Sequence, residues 1–130
     1  MRKMQFDHCF VCGPYNPTGL HMNIEEGDQC ASGSWIVTEA FVGYDNILHG
    51  GIMASIMDDI MAHATYSMNV DVVTAHLEMD YRAPVHVGDE IFCEAHVTER
   101  GKGKSIRLEG TIRRGDTLAA EAKSVMVIVK

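Results

Sequence analysis

The stretch running from Ile52 to Ala64, Ile-Met-Ala-Ser-Ile-Met-Asp-Asp-Ile-Met-Ala-His-Ala, leaves no broad polar face when wound at 3.6 residues per turn. It predicts a helix buried nearly all round, continuing to about Met68. No other part of the chain has this pattern. A bilayer-spanning helix needs ~20 largely apolar residues, and this one is shorter and interrupted by Asp58 and Asp59. The protein must therefore wrap the helix itself. The remaining periodic segments read as strands, so the expected architecture is α+β: a curved antiparallel sheet around one long helix.

Two strands precede the helix in this reading, Leu20 to Glu26 and Gln29 to Thr38. They are joined at Glu26-Gly27-Asp28, and the second alternates through Ala31, Gly33, Trp35 and Val37. Residues 1–19 are dense in turn formers and read as a loop. Four strands follow the helix: Val72 to Arg82, Glu90 to Glu99, Lys104 to Arg113 and Thr117 to Val129. Turn signals lie between them, at Ala83-Pro84 with Gly88-Asp89, at Gly101-Lys102-Gly103 and at Arg113-Arg114-Gly115-Asp116. Consecutive strands are expected to pair as an antiparallel meander. With no repeat or linker, the 130 residues are expected to form a single domain.

Net charge argues against nucleic acid. The formal charge is −7, and residues 1–81 hold only 2 basic residues against 11 acidic ones, so phosphates would meet no domain-wide basic surface. Arg100, Lys102, Lys104, Arg107, Arg113 and Arg114 form a local basic group that either meets a small phosphorylated ligand or solvates a hairpin. With neither a signal peptide nor a membrane-spanning run, a cytoplasmic location and no membrane partner are expected. The four cysteines are then expected to be free thiols. Cys9-Phe-Val-Cys12 beside His8 has the inner spacing of half a zinc site. Neither a second Cys-x-x-Cys nor a close pair of histidines completes it, so a structural turn and no metal site are expected.

Chemistry is expected on the helix. Gly50-Gly51 at its start offers free backbone N–H groups at the positive end of the helix dipole, with no side chains to keep a ligand away. Asp58 shares a face with Ala54, Ala62 and Thr65, which would let a backbone or ligand approach a carboxylate on an otherwise apolar helix. Asp59 and His63, one turn apart, read as an orienting contact, and Ser55 as a packing residue. Met53, Met57, Met61, Met68 and Met79 fill gaps in the core or form an adaptable wall for an apolar ligand.

Several groups of residues resemble one known family. They are Cys9-Phe-Val-Cys12-Gly13 with Asn16-Pro17-x-Gly19-Leu20, then Leu48-His49-Gly50-Gly51 with Asp58-Asp59, then Thr74-Ala75-x-Leu77 and Tyr81-Arg82-x-Pro84-x-x-x-Gly88. Over nearly the whole chain this is similar to the hotdog-fold acyl-CoA thioesterases of the PaaI-like group. The resemblance implies hydrolysis of an acyl-CoA thioester without cofactor, by homodimers or dimers of dimers with sites between subunits. It places the oxyanion hole at the Gly51 N–H, with His49 and Gly50 shaping the turn, and makes Asp58 the general base or nucleophile. Thr74 would orient the attacking water. Members often carry Asn or Gln six residues before the His; here that residue is Gly43, and Asn46 is the candidate substitute in substrate binding.

Helix geometry adds an independent argument for a shared site. Gly51 and Asp58 are seven residues apart, about 10 Å along one helix at ~1.5 Å per residue, so one carbonyl cannot contact both. Antiparallel helices of two chains would bring them together. Two other readings stand beside hydrolysis: a hotdog hydratase or dehydratase, disfavoured because Asp58 and His63 lie on different faces, and a non-catalytic acyl-CoA-binding module. Neither the acyl group nor the choice between coenzyme A and acyl carrier protein follows from the residues.

Overall fold

The computed structural model describes residues 4–101 and 103–129. Among them, six strands form one antiparallel sheet: β1 (Ile24–Gly27), β2 (Cys30–Ile36), β3 (Asp71–Tyr81), β4 (Glu90–Arg100), β5 (Ser105–Arg114) and β6 (Thr117–Val129). Helix α1 (Gly50–Ala64) lies between β2 and β3 in the chain and touches all six strands. This is the hotdog arrangement expected from the sequence.

The helix is anchored by the side chains that the sheet covers. Ile56, Met57, Ile60, Met61 and Ala64 are fully buried, and each large one stabilises the fold by roughly 1.5–3 kcal/mol through removal of apolar surface from water. Across from them stand Ile91, Cys93, Ile106, Leu108, Ile112 and Met126, the inward residues of strands whose burial alternates with a period of two. Burial also pushes the Cys93 thiol up to about 12. The helix stops where the Thr65 hydroxyl donates to the Ala62 carbonyl at 2.7 Å, and Tyr66–Met68 forms a single 3₁₀ turn. The expected continuation to Met68 therefore holds only in this tighter form.

Three other sequence expectations need correction. First, burial of α1 is not all round: Ile52, Ala54, Ser55, Asp58, Asp59 and Ala62 are only half-buried, leaving one open stripe. Second, the four strands after the helix are not a simple meander. The sheet order is β1-β2-β4-β5-β6-β3, so β3 pairs with β6 at one edge while β4 pairs with β2. Local turn signals specify where the chain reverses, but the chain between Tyr81 and Glu90 crosses to another strand instead. Third, Leu20–Asn23 lie outside β1. The Leu20 N–H donates to Phe10 O and the Met22 N–H to Val11 O, both at 2.9 Å.

These bonds belong to a strap formed by the N-terminal segment. Val11, Leu20 and Met22 enter the core, and the Phe6 ring stacks on Tyr66 with centroids 5.6 Å apart. Phe10 and Trp35 each meet Phe41 edge-on. No helix among the described residues is long and apolar enough to cross a membrane.

The packing predicts a contrast between two isoleucines. Ile60→Ala, at a position with 0% exposure, should lower the unfolding free energy by about 2–5 kcal/mol. Ile36→Ala, 57% exposed on the outer face, should stay within ~0.5 kcal/mol. Urea unfolding of both variants checks the direction in which the sheet faces.

Candidate active site

The start of α1 is fixed from three directions. Leu48 donates its N–H to Val85 O at 2.8 Å, and His49 donates to Phe41 O at 3.0 Å. The Tyr81 hydroxyl donates to the Gly50 carbonyl at 2.6 Å, and partial burial of that hydroxyl raises its pKa. In the sequence Tyr81 stands out only within the Tyr81-Arg82-x-Pro84 group, with no role at the site; its position at the last residue of β3, just before the Ala83-Pro84 turn, is the signal that places it here.

His49 is the N-cap of the helix, and its Nδ1 accepts the Gly51 N–H at 2.8 Å. A neutral His49 ring must then carry its proton on Nε2. The donor expected to face a carbonyl thus already has an intramolecular acceptor. A ligand oxygen at Gly51 shares or replaces that bond, and the dipole at the helix start favours negative charge on it. Gly43 lies against the same imidazole: a Cβ there would stand 3.3 Å from His49 Cδ2. Gly43, where the family resemblance would place an amide side chain, therefore adjoins the His49 ring, and it lines a groove with Val42, Leu48 and His49. A second, mainly apolar groove runs past Gly51 and Ile52 between Phe10, Phe41 and Ser55.

Asp58 lies two turns further along the open stripe. Its Oδ1 accepts the Thr74 hydroxyl at 2.5 Å, across sixteen residues of chain. Thr74 sits at a β-bulge: the register of β3 against β6 shifts between Thr74 and His76, leaving Ala75 without a partner. Bulges bend a strand and re-aim its side chains, and this one coincides with the residue that reaches the carboxylate.

The structure thus brings Asp58 to Thr74, and His49, Gly50 and Gly51 together at the helix start. It does not bring Asn46 to either group. Asn46 is exposed, adopts a left-handed conformation with φ of 65°, and accepts the Val87 N–H through its carbonyl. Met57 and Met61 are fully buried and fill the core, whereas Met53 also borders a groove with Tyr81. The Ser55 hydroxyl donates back to Gly51 O at 2.9 Å. His63 faces away from Asp58, with Nδ1 2.6 Å from Glu26 and Nε2 3.6 Å from Asp59. Cys9 and Cys12 approach Asp59 from the strap, and burial first, then the adjoining Asp59 carboxylate, raises the Cys12 thiol pKa.

In the basic group, Arg107 pairs with Glu99, and Arg114 with Asp89. Lys102 lies outside the described residues. Arg82, another cation near the helix start, is paired with Glu121 at 3.0 Å.

Known proteins share this fold. The chain is similar to the conserved protein PA5202 from Pseudomonas aeruginosa at 25% identity and a TM-score of 0.78, covering 85% of this chain and 90% of that one. It is similar to the Escherichia coli PaaI protein from the phenylacetic acid degradation operon at 21% identity and a TM-score of 0.79, covering 85% and 81%. A hypothetical thioesterase protein with coenzyme A from Streptococcus pneumoniae matches at 17% identity and a TM-score of 0.78, covering 83% and 85%. No curated protein is significantly similar. The sequence model of the thioesterase superfamily matches residues 45–121, a span that contains the His49 turn, Asp58, Thr74 and most of the sheet. By that match and by its hotdog fold, the chain belongs to the thioesterase superfamily.

Proposed function

We propose that this chain forms one domain that hydrolyses an acyl-CoA thioester, working as a homodimer whose sites lie between subunits. The observation that carries the reading is the Thr74 hydroxyl on Asp58 Oδ1. It orients a half-buried carboxylate on the open stripe of the helix, where a water or thioester carbon can reach it. Asp58 takes a proton from the attacking water, or itself attacks as nucleophile; the Gly51 N–H of the other chain donates to the developing oxyanion instead of to His49 Nδ1, and the C–S bond then breaks to release the coenzyme A thiolate. One relative adds support. The streptococcal protein binds coenzyme A, and it has been solved with alanine at an aspartate and at a threonine sixteen residues later, the spacing of Asp58 and Thr74.

Dimerisation has its own physical support. β3 is an edge strand of 11 residues with one side unpaired within the sheet, next to the open stripe of α1. A long exposed edge invites another strand. A second copy docked there would cover Ala54 and Ala62 and place its own helix start near Asp58. A second reading, acyl-CoA binding without hydrolysis, is favoured by the Gly51 N–H being already bonded to His49 and by the missing side chain at Gly43.

Thiol release from a panel of acyl-CoAs separates the two. Asp58→Asn should lower kcat at least ~10²-fold with little change in ligand affinity. Thr74→Ala should cost less, because only an orienting hydroxyl is lost. Coenzyme A esters that bind but are not turned over by the unmodified protein would establish the binding module instead.

Mixing two inactive chains tests the shared site. Gly51→Pro removes the N–H at a first-turn position where proline is tolerated, and Asp58→Ala removes the carboxylate. In a mixed dimer one site carries both defects and the other neither, so part of the activity should return on mixing. Complete sites within each chain would give no recovery.

A further inference from the structure

Four side chains that the proposed hydrolysis does not use converge where the strap crosses the helix. Cys9 Sγ lies 3.5 Å from Asp59 Oδ1, Cys12 Sγ 3.4 Å from His63 Nε2, and His63 Nε2 3.6 Å from Asp59 Oδ2. The donor atoms of Cys9, Cys12 and Asp59 all lie within 4.8 Å of one another. Bonds of ~2.0–2.3 Å to a tetrahedral ion place its donor atoms ~3.3–3.8 Å apart. The three measured contacts fall in that interval; the two that involve Asp59 use its two different oxygens, and His63 touches the group through Cys12 and Asp59.

The surroundings are those of a metal ligand set. The Val11 N–H points at Cys9 Sγ, 3.4 Å away, and the turn closes through Gly13 N–H to Cys9 O at 2.9 Å. Gly13 is required there: a Cβ would collide with the Cys9 backbone and approach Asp7 O to 2.6 Å. On the helix side, Asp59 and His63 are spaced i, i+4 and so share one face. His63 is 3% exposed, and its Nδ1 contacts Glu26 Oε2 at 2.6 Å, which leaves Nε2 directed at the cluster with its lone pair facing Cys12 Sγ. A carboxylate fixing the far nitrogen of a histidine is the usual outer shell of a zinc ligand. Asp59 Oδ2 is buried without a hydrogen-bond partner, and no lysine or arginine among the described residues pairs with Asp59 or Glu26.

We infer that Cys9, Cys12, Asp59 and His63 bind one Zn²⁺, which clips the N-terminal strap to the central helix. Soft thiolates with one imidazole and one carboxylate suit zinc over the hard cations that prefer all-oxygen sites. Binding displaces two protons to solvent, those that the thiols of Cys9 and Cys12 otherwise direct at Asp59 and His63, and four protein ligands close the coordination sphere. The role is structural. Phe10, between the two cysteines, lines the apolar groove beside Gly51, so the clip also fixes one wall of the proposed acyl site. The inference departs from the sequence expectation of no metal, which sought a second Cys-x-x-Cys or a close pair of histidines as the completing ligands. The fold supplies them from a helix fifty residues away.

The test uses the full chain, reduced and metal-free, equilibrated with Zn²⁺ and freed of loose metal on a chelating resin. Elemental analysis should find one zinc per chain, and Co²⁺ in its place should show thiolate-to-metal charge transfer and strong tetrahedral ligand-field bands. Cys12→Ser and His63→Gln should lose the metal, Glu26→Gln should weaken its binding by roughly 10–100-fold, and Asp58→Asn should keep it. Reduced wild-type protein that retains no zinc, or whose Co²⁺ form lacks the thiolate charge-transfer band, overturns the site even if the variants fail to fold. These readouts do not involve turnover, so loss of the thioesterase reading would leave the zinc result standing.

Discussion

Everything in this molecule depends on covering a helix that has almost no polar side. Ile56, Met57, Ile60 and Met61 point into one sheet, and no single flat strand pair could reach all of them; all six strands contact the helix. The remaining stripe, from Ile52 through Asp58 to Ala62, is the part that the sheet does not cover. The Asp58 carboxylate lies on it, and the helix start at one end provides N–H groups. The proposed chemistry would therefore occupy the part of the helix that the sheet leaves uncovered.

The helix and the number of strands were legible because both are periodic signals: a run of apolar residues without a polar face, and alternation in two-residue steps. The burial of Ala31, Gly33 and Trp35 in β2 follows the pattern read from the sequence. Strand order was not legible, since β3 and β6 meet through long-range pairing that no turn residue encodes. The same limit hid the strap. Residues 4–19 have turn chemistry and no period, yet Val11 is as buried as Met53, because its environment is made by contacts distant in sequence.

At the site, the residues legible from the family pattern are those whose spacing along the chain carries information: His49-Gly50-Gly51, Asp58 and Thr74. Their local chemistry was less legible. That the Gly51 N–H is held by His49 depends on one side-chain rotamer, and that Gly43 rests on the His49 ring depends on how the loop folds back. Asn46, three residues before the histidine, is placed by number alone, and the structure adds that its left-handed backbone turns the loop.

The position of β3 has a consequence for how the protein is made. Among the described residues its sole sheet partner is β6, with Asp71 opposite Val129 and Tyr81 opposite Ala120, so the pairing spans much of the chain. Contacts so distant in sequence form slowly, after the loop-closure entropy has been overcome. During synthesis the helix and β3 emerge well before β6, and for that interval an eleven-residue strand and the apolar face of α1 lack their covering. Thr74 reaches Asp58 only once β3 has docked. A nascent chain would therefore be exposed to aggregation and to chaperone capture until its last strand is in place, and the two halves of its candidate active site would be among the last parts to meet.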